Sequence, residues 1–476
     1  MPSSPTHSTV SRQWPREPGR SGGGNRLVRK TPLSGRDHAV TVSEAVSRHL
    51  TGRRLGLLGR EPGFRSLFVA TLGSGLGTWL ALVALQIDVL RRTHSPLWMS
   101  ALLIADILPT LLVGILAAPL VDRLSRRGLM IGADLARFGV FCALPFAPNA
   151  TTIVALAAVI GIATGFFRPA VYAGLPNLVA DEDLAGANSL LQMIDNSTWA
   201  LGSLVGGALV AAQGPHLAYW INAATFLVSA ALLAQIPQRL LQEARAETRG
   251  HWRDLADGLV LVRRSRALLT VLIAWNVGMV ANAFVNVGEP FLATDSFSAG
   301  SFGLGLMMGS AGVGLAAGAY LAGSWIESRG LANIYGVSLG LMALGVGGAA
   351  ASPNVWVAAV CVIVSGAGNG STIVCNALLV QRGAPDRFRG RAFTVLMSSN
   401  VTFLALGMVL AGRLTEAVGP RWVWGGAAVL STAAAIVGFT LARGAAEAAI
   451  AAVELPSPPI ESETAVGAHG GARRAI

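Results

Sequence analysis

Apolar runs of about 20 residues, parted by short charged connectors, leave this 476-residue chain few folds to choose from. About 20 helical residues cross a bilayer. With 53% hydrophobic and 13% charged residues, the chain is far from the balance of a soluble domain. Twelve spans are predicted, roughly at 67–90, 98–120, 129–147, 152–176, 187–212, 216–237, 267–292, 302–325, 331–351, 355–380, 391–416 and 420–442. An all-α membrane protein is expected.

The runs also repeat. Ala118-x-x-x-Asp122-Arg123 follows the second run, and Gly323-x-x-x-Glu327-Ser328 follows the eighth, 205 residues on (323 − 118 = 205). Gly161 and Gly165 recur as Gly366 and Gly370 at the same offset. The loop ending at Gly186 ("ADEDLAGANSLL") is matched at an offset of 204 by one ending at Gly390 ("APDRFRGRAFTVL"). Three landmarks in order at one spacing predict two six-helix pseudo-repeats, the arrangement by which many transporters form a cavity at mid-membrane. The expected boundaries are a disordered basic tail at 1–62, an N-terminal bundle at 63–237, a linker at 238–266, a C-terminal bundle at 267–442 and a second disordered tail at 443–476.

The net charge of +11 is segregated. Arginines crowd the N-terminal tail and the connectors at 121–128, 238–266 and 382–391, whereas those at 148–151 and 213–216 are nearly free of them. Positive charge is retained on the cytoplasmic side, so a multi-pass cell-membrane protein with both termini cytoplasmic is expected, Arg91 and Arg92 dissenting. Beside twelve spans, the basic tail is not read as a nucleic-acid site. Residues 1–60 lack the apolar core of a signal peptide. Cys142, Cys361 and Cys375 fall in apolar spans and suggest neither a disulfide framework nor a metal site. In the long linker, Trp252, Leu255, Leu259 and Val262 recur near helical spacing, as in an interfacial amphipathic helix that tethers the halves or regulates them.

Six spans plus six, with a cytoplasmic motif after span 2 and a weaker copy after span 8, resemble the major facilitator superfamily. The stretches "FRSLFVATLGSGLGTWLALVAL", "HSPLWMSALLIADILPTLLVGILAAPLVDRLSRRGLMIGADLAR", "GFFRPAVYAGLPNLVADEDLAGANSLLQ" and "QRGAPDRFRGRAFTVL" resemble its drug:proton antiporter branch, which contains macrolide efflux pumps and the enterobactin exporter. The resemblance covers about residues 63–442 and bears on fold far more than on substrate.

The superfamily motif is G-x-x-x-D-[RK]-x-G-[RK]-[RK]. Here it runs Ala118, Asp122, Arg123, Ser125, Arg126, Arg127, with both glycines replaced by small residues. A small residue lets a neighbouring helix approach, and Asp122 can accept from the N–H groups of a facing helix N-terminus. The expectation is a cytoplasmic latch, with Gly323 and Glu327 as its C-terminal copy; the alternative is a loop that only fixes topology by charge. Asp134 and Arg137 are spaced to pair. The resemblance lets Arg168 join Asp122 or Asp134 in the same network, unless these residues simply reach for water.

Ionisable groups deep in a membrane are functional candidates. Asp106 lies about nine residues into span 2, roughly 14 Å down at 1.5 Å per residue. Asp195, Asp88 and Glu289 are the other candidates for a carboxylate that loads and releases protons, since burial disfavours the charged form. The branch often carries an acidic residue after the first glycines of span 1; here that position is Thr78, which leaves coupling open. By the resemblance, spans 1, 4, 7 and 10 line the cavity, making Trp79, Gln86, Asn276, Asn282, Asn286 and Asn376 the candidates, though amides also glue helices together. With no Lys or His deep in the spans and few deep arginines, a neutral or acidic cavity is expected, suited to neutral or cationic amphiphiles.

No G-x-x-x-x-G-K-[ST] run supports ATP-driven export, and no HExxH, GxSxG or Cys/His cluster supports an enzyme. The sequence therefore predicts a monomeric, proton-coupled exporter of drug-like compounds or secondary metabolites, working by alternating access without cofactor or metal. A small-nutrient or siderophore-type importer or facilitator, and a non-transporting membrane sensor, remain as alternatives.

Overall fold

The computed structural model describes residues 56–116, 124–241, 259–263, 265–384 and 389–454. Twelve helices of at least 18 residues run through them: α1 Pro62–Thr93, α2 Pro96–Leu116, α3 Arg126–Ala143, α4 Ala150–Gly174, α5 Leu184–Gln213, α6 Pro215–Ala234, α7 Arg266–Phe291, α8 Gly300–Arg329, α9 Leu331–Ala351, α10 Val355–Gly383, α11 Arg389–Val418 and α12 Pro420–Glu454. No strand occurs among the described residues. Eleven of the twelve are long and apolar enough to cross a membrane. The twelfth, α5, is long enough, but Gln192, Asp195 and Asn196 in its first half lower its hydropathy. Large apolar side chains on the outer flanks, such as Leu344, Val429 and Ile436, are exposed. Lipid is the solvent that suits such faces.

The predicted offset holds helix by helix. Each of α7 to α12 begins 204 or 205 residues after its counterpart among α1 to α6. The signals that start and stop the helices repeat as well. Asn149 caps α4 by accepting from Thr152 N, and Asn354 caps α10 by accepting from Trp356 N and Val357 N. The turns into α6 and α12 are Gly214-Pro215 and Gly419-Pro420, with both glycines at positive φ (77° and 85°), a conformation that L side chains rarely adopt. Proline then fits the first helical turn, where no N–H is needed.

Packing follows the same duplication. α1 lies against α5 and α6, α2 against α4, and α3 against α4 and α6; α7 to α10 repeat the pattern with α10 to α12. A Cβ on Gly161 would sit 2.3 Å from Asp106 O, and one on Gly366 would sit 2.4 Å from Ala311 O. Gly165 and Gly370 likewise face Thr110 O and Leu315 O, at 2.9 and 2.0 Å, the second the tighter. The partner residues are themselves 205 apart.

The halves meet through α5 against α8 and α2 against α11. Gly207 and Gly305 lie backbone to backbone, and Ser100 Oγ donates to Met408 O at 2.6 Å. These residues lie toward the end that carries the α1–α2, α5–α6 and α7–α8 turns.

Some expected boundaries move. The last helix, expected to end near 442, continues to Glu454 through an alanine-rich stretch of high helix propensity. Both expected tails fall largely outside the described residues. So does most of the linker, including Trp252 and Leu255; Leu259 and Val262 lie on a short helical turn, with Val262 buried.

Candidate functional site

Along α1, Thr71, Ser74, Thr78 and Trp79 fall on one face at helical spacing, and that face opens on a cavity of about 750 Å³. The hydroxyls of Thr71, Ser74 and Thr78 donate to carbonyls of the preceding turn, which lets a polar stripe sit in an apolar helix. Trp79 stacks on Trp199 of α5, with centroids 5.5 Å apart. The other walls come from α2 (Asp106, Ile107, Thr110), α3 (Arg137, Phe141), α4 (Thr164, Phe167, Arg168), α5 (Asp195, Thr198) and α11 (Met397, Val401). The lining is mostly apolar with a few convergent polar groups, the usual character of a small-molecule site.

The charges are arranged in order. Arg137 Nη2 donates to Asp134 Oδ1 at 2.5 Å, and Ser229 Oγ donates to Asp134 Oδ2 at 2.6 Å. Asp134 is fully buried and Arg137 nearly so. The guanidinium lies 4.4 Å from the ring centroids of both Phe167 and Phe226, so two aromatic faces replace the water it has lost. Arg137 also interacts electrostatically with Asp106. Among the described residues, the Asp106 carboxylate has no hydrogen-bond or ion-pair partner. Further along, Arg168 Nη2 meets Asp195 Oδ2 at 2.8 Å in a partly exposed pair.

Several sequence expectations are redistributed. Arg168 pairs with Asp195, not with Asp134, whose two oxygens are taken by Arg137 and Ser229. Ala118, Asp122 and Arg123 lie outside the described residues. Of the motif's remaining residues, Arg126 Nη1 donates to Ala173 O at 2.9 Å, and Arg127 donates to Leu233 O and Ala234 O, tying the start of α3 to the ends of α4 and α6. Glu327 is exposed without a partner among the described residues, and a Cβ on Gly323 would meet nothing. Asp88 accepts from Arg92 Nε (2.7 Å) and Tyr219 OH (3.0 Å), outside the cavity wall. Glu289 is buried on α7, also outside it.

Of the six cavity candidates, only Trp79 lines the cavity. Gln86 is buried elsewhere on α1, Asn286 Nδ2 donates to Asn282 Oδ1 at 2.9 Å, Asn276 Nδ2 donates to Ser399 Oγ at 2.6 Å, and Asn376 is buried. Two arginines, Arg137 and Arg168, reach the wall, each paired with a carboxylate. The polar stripe of α1 was missed, although its spacing of three and four residues was visible in the sequence.

Twelve long helices in two halves of matching order and packing, eleven of them apolar enough to cross a membrane, with such a cavity, are the architecture of a polytopic transporter of the major facilitator type. A profile of the transmembrane secretion effector family matches residues 59–470, and the chain belongs to that family. It is 27% identical over 377 residues to the uncharacterized MFS-type transporter YfiS of Bacillus subtilis (strain 168), covering 76% of this chain and 89% of that protein. It is also 27% identical over 374 residues to the multidrug efflux pump Tap of Mycolicibacterium fortuitum, covering 74% and 89%. The crystal structure of the nucleoside transporter NupG superimposes with a TM-score of 0.66 over 80% of this chain and 99% of that one; at 14% identity it speaks for the fold alone.

Proposed function

We propose that this transporter exports amphiphilic small molecules from the cell as a monomer, exchanging them for protons by alternating access. The observation that carries the reading is the Asp106 carboxylate on the cavity wall, without a hydrogen-bond or ion-pair partner among the described residues. A carboxylate in a confined apolar cavity can hold a proton or an organic cation, and holding one disfavours the other. Arg137 and Arg168 are each opposed by their own carboxylate, Asp134 and Asp195, which leaves the charge of Asp106 to face a ligand. The preferred cargo is then cationic or neutral. That a similar protein is named a multidrug efflux pump is consistent with this.

The direction of opening fits export. With the arginine-rich connectors on the cytoplasmic side, both termini lie inside, the halves touch near the outside, and the cavity reaches inward past Arg168. The Asp122 latch and its Glu327 copy belong to the opposite state, in which the cytoplasmic side shuts; Glu327, which has no partner among the described residues, suits a side that is open. Each ligand then shifts the two-state balance by its difference in affinity.

Dye accumulation by everted membrane vesicles tests the reading. Accumulation of a cationic dye that collapses with an uncoupler, and is lost in Asp106→Asn at unchanged protein level, is expected. Uncoupler-insensitive equilibration points to a facilitator, dye movement in the opposite sense to an importer, and no movement to a sensor.

A further inference from the structure

Five of the twelve buried side-chain polar atoms that lack a hydrogen-bond partner among the described residues belong to three carboxamides: Asn276, Asn376 and Asn400. All three are more than nine-tenths buried, at 6%, 1% and 5% exposure. Helix-gluing amides find partners, as Asn282 and Asn286 do in each other. Leaving both ends of Asn376 and Asn400 unmet costs folding free energy, and such atoms call for an explanation.

The repeat supplies one. At an offset of 205, Asn376 and Asn400 stand where the N-terminal half has Val171 and Asp195, and both of those line the cavity. Asn400 is already at its edge, because Met397 and Val401, on the same face of α11, form part of the wall. Asn276 is tied to the residue before it through Ser399. The C-terminal half thus holds Asn376 and Asn400 on the face that the N-terminal half turns to the ligand, with Asn276 hydrogen-bonded beside them.

We infer that Asn276, Asn376 and Asn400 form a second subsite, closed over in this state and uncovered as the halves move, which binds a neutral hydrogen-bonding group of the cargo. This rests on the export reading above and adds to it a cargo class. A carboxamide offers both donors and an acceptor and carries no charge, so the group recognised is an amide, carbamoyl or hydroxyl. The preferred cargo carries a cation for the Asp106 side and such a group for the other. A site built to hydrogen-bond a group discriminates against the analogue lacking it.

Two styrylpyridinium dyes, alike except that one carries a terminal carboxamide, make the test. Export from everted vesicles and binding to purified protein by fluorescence anisotropy are measured for the wild type, Asn376→Leu, Asn400→Leu and the conservative Asn400→Gln. The wild type is expected to favour the carboxamide dye by about tenfold in KM, the factor that about 1.4 kcal/mol confers. Both leucine variants remove that preference and leave the plain dye within about twofold, while Asn400→Gln keeps part of it. The ratio of the two dyes cancels any change in protein level. Equal losses for both dyes in the leucine variants, or no preference in the wild type, overturn the subsite while export stands. Binding with a carboxamide preference but no transport overturns export and leaves the subsite, and binding of neither dye overturns both.

Discussion

α2 against α4 and α8 against α10 are built on the same contact but carry different chemistry. In each pair two glycines on the later helix let backbone touch backbone, and the four positions involved differ by one offset. Yet the residue whose carbonyl sits beneath Gly161 is Asp106, and its counterpart beneath Gly366 is Ala311. Similarly, Asp195 with its Arg168 partner corresponds to Asn400 with Ile373. Duplication kept what holds helices together and left free what faces the cavity. Packing cannot drift because a single added carbon collides; a cavity side chain has space to change.

The largest expected effect tests the shared half of this comparison. Gly161→Val and Gly366→Val each place carbon against a carbonyl oxygen, and overpacking of this kind costs about 1–3 kcal/mol or more. Both should lose most folded protein in fluorescence-detected size-exclusion thermal melts, to a similar degree; an effect in one half alone would mean that the halves are not packed alike. Asp106→Asn tests the difference. It should lower export at least about tenfold, or about 1.4 kcal/mol, with normal melting, and Ala311→Asp should not restore it. Restoration would make the two halves interchangeable in chemistry as well as in packing. A smaller effect attends the Arg168–Asp195 pair: each charge reversal alone should slow export several-fold, and Arg168→Asp with Asp195→Arg together should recover most of it, by the non-additivity expected of contacting charges. Smallest is Asp88→Asn, which releases Arg92 and Tyr219 near the α1–α2 turn. It should lower stability by about 1 kcal/mol and leave dye export within about twofold.

Much of the architecture was legible in the sequence because its causes are local. Span lengths follow from hydropathy, and Asn149, Asn354, Gly214 and Gly419 mark their own helix ends. The 205-residue spacing of Gly161 and Gly165 with Gly366 and Gly370 anticipated a contact that recurs to the residue. The site was less legible because it depends on which face of a helix turns inward. Gln86, Asn282 and Asn286 sit on suitable helices but outside the wall, whereas Thr71, Ser74 and Thr78 lie on the wall of α1. The partner of Arg168 is 27 residues away across a turn, where the separation between α4 and α5 decides and sequence spacing says little. Arg137, read as a gate residue, reaches the wall because Phe167 and Phe226 sandwich it.

The asymmetry between the halves can be measured directly in proteoliposomes holding purified protein and an internal pH-sensitive dye. Adding a cationic substrate on the side toward which the cavity opens should drive a stoichiometric counterflow of protons in the wild type and in Glu289→Gln, and none in Asp106→Asn. Proton counterflow that persists in Asp106→Asn, or that vanishes in Glu289→Gln instead, would contradict the assignment of coupling to the N-terminal half.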